Sequence, residues 1–107
     1  MIYKVDYTPE AEKDMDVLDN SQYMRVMKAI ERVSVNPLPK NEGGYGEPLG
    51  NKHGNNLTGY CKIKLKKLGI RVIYKVVKVD GVMKIIVVAA RTDNEAYSIA
   101  AKRIEEF

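Results

Sequence analysis

Tyr60-Cys61-Lys62-Ile63-Lys64-Leu65-Lys66-Lys67-Leu68-Gly69-Ile70-Arg71-Val72-Ile73-Tyr74-Lys75-Val76 is the stretch on which the fold turns. Tyr60 to Lys66 alternates apolar and basic residues with period two, the signature of a half-buried strand. Lys67-Leu68-Gly69 supplies a turn, and Ile70 to Val79 is rich in β-branched residues. Asp80-Gly81 is a two-residue hairpin signal, and Val82 to Ala90 reads as another strand. Three consecutive antiparallel strands in a meander are expected.

Working outward, Thr92-Asp93-Asn94 can cap a helix that carries Ala96, Ala100, Ile104 and Phe107 near one face. On the other side, Pro37 to Gly59 holds three prolines and six glycines with little periodicity. It reads as a long loop with a short extended piece near Leu49 or Leu57. Upstream, Ile2 to Tyr7 alternates as a short strand, and Thr8-Pro9-Glu10 starts a helix with apolar Ala11, Met15 and Leu18. Asp19-Asn20-Ser21 then caps a second helix striped by Tyr23, Val26, Met27, Ile30 and Val33, which ends at Asn36-Pro37. The expected class is α+β in one domain over residues 1–107, order βααβββα, with an antiparallel sheet, an N-terminal helical hairpin and a C-terminal helix.

With 107 residues, 45% hydrophobic and 30% charged, the chain can build one core and is not of disordered composition. The single cysteine, Cys61, cannot form an internal disulfide, and no apolar run resembles a signal peptide or a membrane span. A soluble cytoplasmic protein is the expectation. The net charge of +4 is unevenly distributed. Residues 1–47 carry six Lys/Arg and nine Asp/Glu, residues 48–79 carry eight and none, and residues 80–107 carry four and five. The positive excess is therefore local, which points to an anionic partner or to a solvated face.

The pleat separates Cys61, Ile63 and Leu65 from Tyr60, Lys62, Lys64 and Lys66. Lysines at alternate positions stand about 7 Å apart and repel one another, an arrangement that suits a polyanion. If the strands pair in sequence order, Arg71 and Arg91 join this row and five cations share a face. The alternative is that both arginines are strand-end charges paired with acids. Cys61 and Tyr74 read as core. His53 stands alone in its loop, without ligands at metal spacing, and Gly43-Gly44-Tyr45-Gly46 lacks the context of a phosphate loop. The acids of the first helix, Glu10, Glu12, Asp14, Asp16 and Asp19, read as a solvated face.

The quoted stretch resembles the central strands of RelE-type toxins of the RelE/ParE toxin–antitoxin superfamily, with their Lys-Ile-Lys-Leu strand, Gly turn and Arg-hydrophobic-hydrophobic-Tyr strand. Arg91-Thr92-Asp93-Asn94-Glu95-Ala96-Tyr97 resembles the second hallmark, a strand-end arginine followed six residues later by a helix tyrosine. The resemblance covers essentially the whole chain. It implies a ribosome-dependent endoribonuclease that cleaves messenger RNA in the A site of the 70S ribosome, against 16S rRNA, by attack of the ribose 2′-hydroxyl, with neither metal nor cofactor. It implies catalytic roles for Lys62, Lys64, Arg71, Arg91 and Tyr97, and RNA contacts by Lys66 and Lys67. A cognate antitoxin protein is the implied partner. Such a reaction needs a base, cations for the phosphate and an acid for the leaving oxygen. Mutual repulsion would favour a neutral Lys62 or Lys64 as base, and Tyr97 competes for that role or stacks on a substrate base. A ParE-like gyrase inhibitor and a non-catalytic RNA- or protein-binding domain stand as alternatives.

Overall fold

The computed structural model describes residues 3–52 and 54–105. Ile2, His53 and Phe107, assigned above to the first strand, the long loop and the last helix, lie outside the described residues. The chain order is β1 (Lys4–Tyr7), α1 (Pro9–Asp16), α2 (Asn20–Ser34), a 3-10 turn (Lys40–Glu42), β2 (Glu47–Lys52), β3 (Asn55–Leu65), β4 (Ile70–Val77), β5 (Val82–Ala89) and α3 (Asp93–Glu105). The class is α+β, as expected.

The strands form one sheet in the order β1-β5-β4-β3-β2. The expected meander is present: β3, β4 and β5 pair antiparallel in sequence order. Two features enlarge the expected sheet. β1 lies parallel beside β5, so the sheet is mixed rather than antiparallel. A strand of four residues carries no alternation strong enough to reveal its pairing direction. β2 lies within the presumed long loop, and β3 begins there also, at Asn55. Pro48 and Gly50 hide β2 from a propensity reading, yet both suit an irregular edge strand, and the register shifts between them. At Gly59, φ is +89°, a backbone state open to glycine, and here β3 is bulged against β2. The β4–β5 connection is longer than the two-residue turn read from Asp80-Gly81: the strands end at Val77 and restart at Val82.

Capping residues fall where the sequence places them. Thr8 accepts from the Ala11 amide, and Asp19 and Gln22 form a reciprocal capping box at the start of α2. One face of the sheet packs Ile70, Val72, Tyr74, Met83, Ile85 and Cys61 against Ala11, Met15, Val26, Ile30 and Val33 of α1 and α2. The other packs Leu57, Ile73, Ile86 and Val87 against Ala96, Tyr97 and Ala100 of α3. Both faces of the central strands are thus covered. In β5, Ile86 and Val87 are consecutive yet face α3 together, because a bulge opposite Ile73 and Tyr74 inserts one residue.

The glycine-rich stretch serves close approach. A Cβ at Gly46 would strike the Tyr74 hydroxyl, which is buried and donates to the Pro37 carbonyl at 2.8 Å. Burial also raises the Tyr74 hydroxyl far above its ordinary pKa. The acidic face of α1 requires a correction. Asp14 is not solvated: it takes a bidentate pair from Arg103 of α3 at 2.7 and 3.0 Å and accepts the Val88 amide at 2.9 Å. Arg103 also donates to the Ile86 carbonyl at 2.9 Å. β1 pairs with β5 only as far as Ile85, and these two side chains satisfy polar groups on the strand beyond it.

Candidate functional site

The three-strand register decides which charged residues meet. Lys64 lies directly opposite Arg71, Arg71 opposite Ala89, and Lys62 opposite Glu47 of β2. Alternation places Lys62, Lys64 and Arg71 together on the α3 face of the sheet, whereas Lys66 and Arg91, expected in the same row, lie past the ends of β3 and β5. There the first turn of α3 lies beside them, and Asp93 becomes their common counter-ion. Its carboxylate accepts from Arg71 Nε at 2.6 Å and from Lys64 Nζ at 3.5 Å, and Lys62 Nζ is 3.9 Å away. The Arg71 hydrogen bond holds Asp93 below the usual carboxylate range; burial opposes this, and the charges of Lys62, Arg71 and Lys64 reinforce it.

Tyr97 stands one turn further along α3, packed among the core residues of that face. Its hydroxyl accepts from Lys62 Nζ at 2.8 Å, and the ammonium lies 5.4 Å from the ring centre. Only 3% of Tyr97 is exposed, so the ring is not available to stack on a substrate base in this conformation. Lys62 itself is enclosed. Burial alone would lower its pKa, but the Tyr97 hydrogen bond and the nearby Tyr97, Glu47 and Asp93 outweigh burial and raise it. This direction runs against the expectation of a neutral Lys62, because repulsion along the strand is answered by groups from β2 and α3 that strand geometry does not reveal. The Lys64 side chain is one-third exposed and reaches solvent.

The two arginines part company. Arg71 is largely enclosed and spends donors on Asp93, on the Gly69 carbonyl and on the Arg91 carbonyl. Arg91 follows β5, with its side chain 60% exposed and 3.7 Å from Glu95 one helical turn on. Arg71 is thus both a member of the cation row and an acid-paired residue. Two shallow depressions flank the cluster. One, of about 400 Å³, is lined by Lys40, Tyr45, Glu47, Lys62, Lys64 and Lys66. The other, of about 490 Å³, is lined by Leu68, Gly69, Arg71, Arg91 and Glu95. Lys66 and Lys67 are exposed just past the end of β3, and Lys66 contributes to the first depression. Cys61 packs on the opposite face, its thiol pushed up chiefly by burial.

Asp93 is the site residue that the sequence reading passed over, as a helix cap. Capping belongs to Thr92, whose Oγ1 accepts the Glu95 amide at 3.3 Å, which leaves the Asp93 carboxylate for the cations. A carboxylate five residues past Val88, the last bulky residue of β5, carries no local sign of its partners.

Fold and site together define a small basic α+β domain with cations of the central strands gathered under the C-terminal helix. The chain is similar over nearly its whole length to solved toxins of Escherichia coli. A double-arginine variant of toxin RelE in the free state is 28% identical, with a TM-score of 0.70, 97% of this chain and 99% of that chain being covered. The isolated RelE toxin is 26% identical with a TM-score of 0.69, at 95% and 98% coverage. The variant bound to a peptide of the antitoxin RelB is 25% identical with a TM-score of 0.70, at 94% and 95% coverage. No family model and no curated protein matches the sequence. These matches over nearly the whole chain support the resemblance to RelE-type toxins of the RelE/ParE superfamily that the sequence carries.

Proposed function

We propose that the chain is the toxin of a type II toxin–antitoxin pair and inhibits translation by cutting messenger RNA in the ribosomal A site. The observation that carries this reading is the convergence of Lys62, Lys64 and Arg71, from two paired strands, on one small anion-sized position beside Tyr97. Phosphoryl transfer through an internal 2′-hydroxyl depends on cations that meet the growing phosphate charge in place, without reorganisation. In this reading the 2′-oxygen attacks phosphorus, a base takes its proton, and the 5′-oxygen leaves protonated, so that a 2′,3′-cyclic phosphate and a 5′-hydroxyl end result.

Of the three candidate bases, Lys62 has its pKa raised by its neighbours and the Tyr97 hydroxyl is engaged with it, whereas Lys64 faces solvent. We assign Lys64 to the 2′-hydroxyl, Lys62 and Arg71 to the phosphate, and Tyr97 to fixing Lys62. Arg91, exposed at the rim, neutralises the phosphate and the leaving oxygen. A guanidinium suits electrostatic stabilisation rather than proton donation. Lys66 and Lys67 meet RNA around the site, on the message or on 16S rRNA. Neither metal nor cofactor takes part in this scheme, and the place of action is the cytoplasm. A cognate antitoxin is part of the proposal, since a similar toxin is solved with its antitoxin peptide.

Expression of the chain alone, with cleaved transcripts mapped by primer extension, tests the reading. Growth arrest with A-site cuts is expected, and the combined Arg91→Ala and Tyr97→Phe variant should lose both. Equal cutting by that variant would remove the site assignment. Poisoning or relaxation of gyrase without transcript cleavage would move the chain to the ParE-like function.

A further inference from the structure

The mechanism just proposed uses three of the four charged groups that meet under α3, and the fourth is of the wrong sign for it. A nuclease site that must receive a phosphodiester has no evident use for a carboxylate among its cations. Yet Asp93 is bonded to Arg71 at 2.6 Å, stands 3.5 Å from Lys64 and lies 3.9 Å from Lys62. Its oxygens divide the contacts, Oδ1 on the guanidinium and Oδ2 toward the two ammonium groups. Two non-bridging phosphate oxygens could divide the same three donors in that way. Asp93 also joins the two depressions, since Lys62 and Lys64 line one and Arg71 lines the other. A strand of RNA crossing from one to the other meets this carboxylate.

We propose that the Asp93 carboxylate is a resident occupant of the phosphate seat, which holds the three cations converged in the free protein and is displaced when a phosphate enters. The proposal rests on the nuclease reading only for the identity of that phosphate as RNA. Asp93 is then a positioning residue with two opposed effects. It prevents Lys62, Lys64 and Arg71 from splaying apart by repulsion, and it competes with every incoming anion. The second effect sets the affinity of the site: with Glu47 also 3.9 Å from Lys62, the three cations facing Asp93 attract a phosphodiester, but less than they would without the Asp93 charge. A purely structural ion pair would predict the opposite, with anion binding unchanged or weakened once the pair is broken.

The test compares the wild-type chain with Asp93→Asn, which keeps size and hydrogen bonding but removes the charge, and with Asp93→Glu, which restores it. The probes are inorganic phosphate and a short 2′-O-methyl RNA, which binds but cannot be cleaved through a 2′-hydroxyl. Asp93→Asn should bind both about tenfold tighter. Its log-affinity should fall more steeply with log salt, by about 0.7 for the RNA, the slope of one extra released counterion on a single strand. Asp93→Glu should keep the wild-type affinity and slope. Equal or weaker binding by Asp93→Asn, with an unchanged slope, would overturn the proposal. Should Asp93→Asn fail to fold, the wild-type protein decides: on phosphate addition the Asp93 carboxyl carbon and the Arg71 Nε–H resonances should shift together. Their constancy at saturation would equally overturn it. Tighter phosphate binding by Asp93→Asn in a protein that never cuts messenger RNA would keep the seat and remove the nuclease.

Discussion

Asp14 and Asp93 are both helix carboxylates bonded to arginine, and they do different things. Asp14 meets a single guanidinium in a bidentate pair, and the remaining bonds run to the backbone of β5. Both side chains of that pair are 18% exposed. Asp93 meets Arg71, Lys64 and Lys62 together, at a surface open to two depressions, and leaves positive charge over. The lesson is that the stoichiometry and closure of an ion pair, rather than its length, separate a clamp from a site. The shorter of the two carboxylate–arginine pairs, at 2.6 Å against 2.7 Å, is the open one.

That contrast can be broken first by activity. Lys64→Ala and Arg91→Ala should each lower transcript cleavage on the order of 10²- to 10³-fold, read by primer extension, with little loss of stability. A comparable loss of cleavage in folded Asp14→Ala protein would mean that the clamp also belongs to the site. Second, Asp14→Ala should destabilise by about 2–3 kcal/mol, since it removes the carboxylate bound by Arg103 and the acceptor of the Val88 amide. Thermal unfolding should then begin roughly 10 °C lower, given the response expected of a domain this size. A shift of only a degree or two would show that water replaces the clamp.

Acid titration separates the carboxylates next. The folded pKa of Asp93 is depressed by its Arg71 bond, so the stabilisation it contributes is fully present above the unfolded value of about 3.9. It is lost as pH falls through the lower folded value. The difference in unfolding temperature between wild type and Asp93→Asn should therefore stay constant from neutral pH to about 5 and shrink below about 4. A difference that grows toward acid would reverse the assigned sign. Smaller still, Tyr74→Phe should cost about 1 kcal/mol in denaturant unfolding, for the lost bond to Pro37. Smallest of all, Lys67→Ala should weaken RNA binding a few-fold and leave stability alone, because the side chain is exposed in a turn. If Lys67→Ala abolished binding, the RNA path would lie away from the Asp93 cluster.

Much of this was legible in the chain. The alternation of Tyr60 to Lys66 assigned faces correctly because the strand period is two and one face must be buried. Thr8, Asp19 and Pro37 marked helix boundaries through local chemistry that needs no tertiary partner. β2 was not legible, since an edge strand built on Pro48 and Gly50 owes its form to the neighbour it pairs with. The bulge of β5 escaped for the same reason: Ile85-Ile86-Val87-Val88 is apolar throughout, and only its partners show which residue is extra.

For the site, sequence named Lys62, Lys64, Arg71, Arg91 and Tyr97, and the register brought Lys62, Lys64 and Arg71 together beside Tyr97. It could not state their charge environment. By itself the sequence determined where helices and central strands form, which strand face carries the lysines, and that positive charge accumulates there, all consequences of short-range periodicity. Tertiary structure alone decided that Lys62 meets the Tyr97 hydroxyl, that Tyr97 is enclosed, that Asp14 seals β5 and that Asp93 sits among three cations. Each of these depends on contacts between residues 22 to 89 positions apart, where electrostatic energy follows distance in space and the order of the chain carries no record of it.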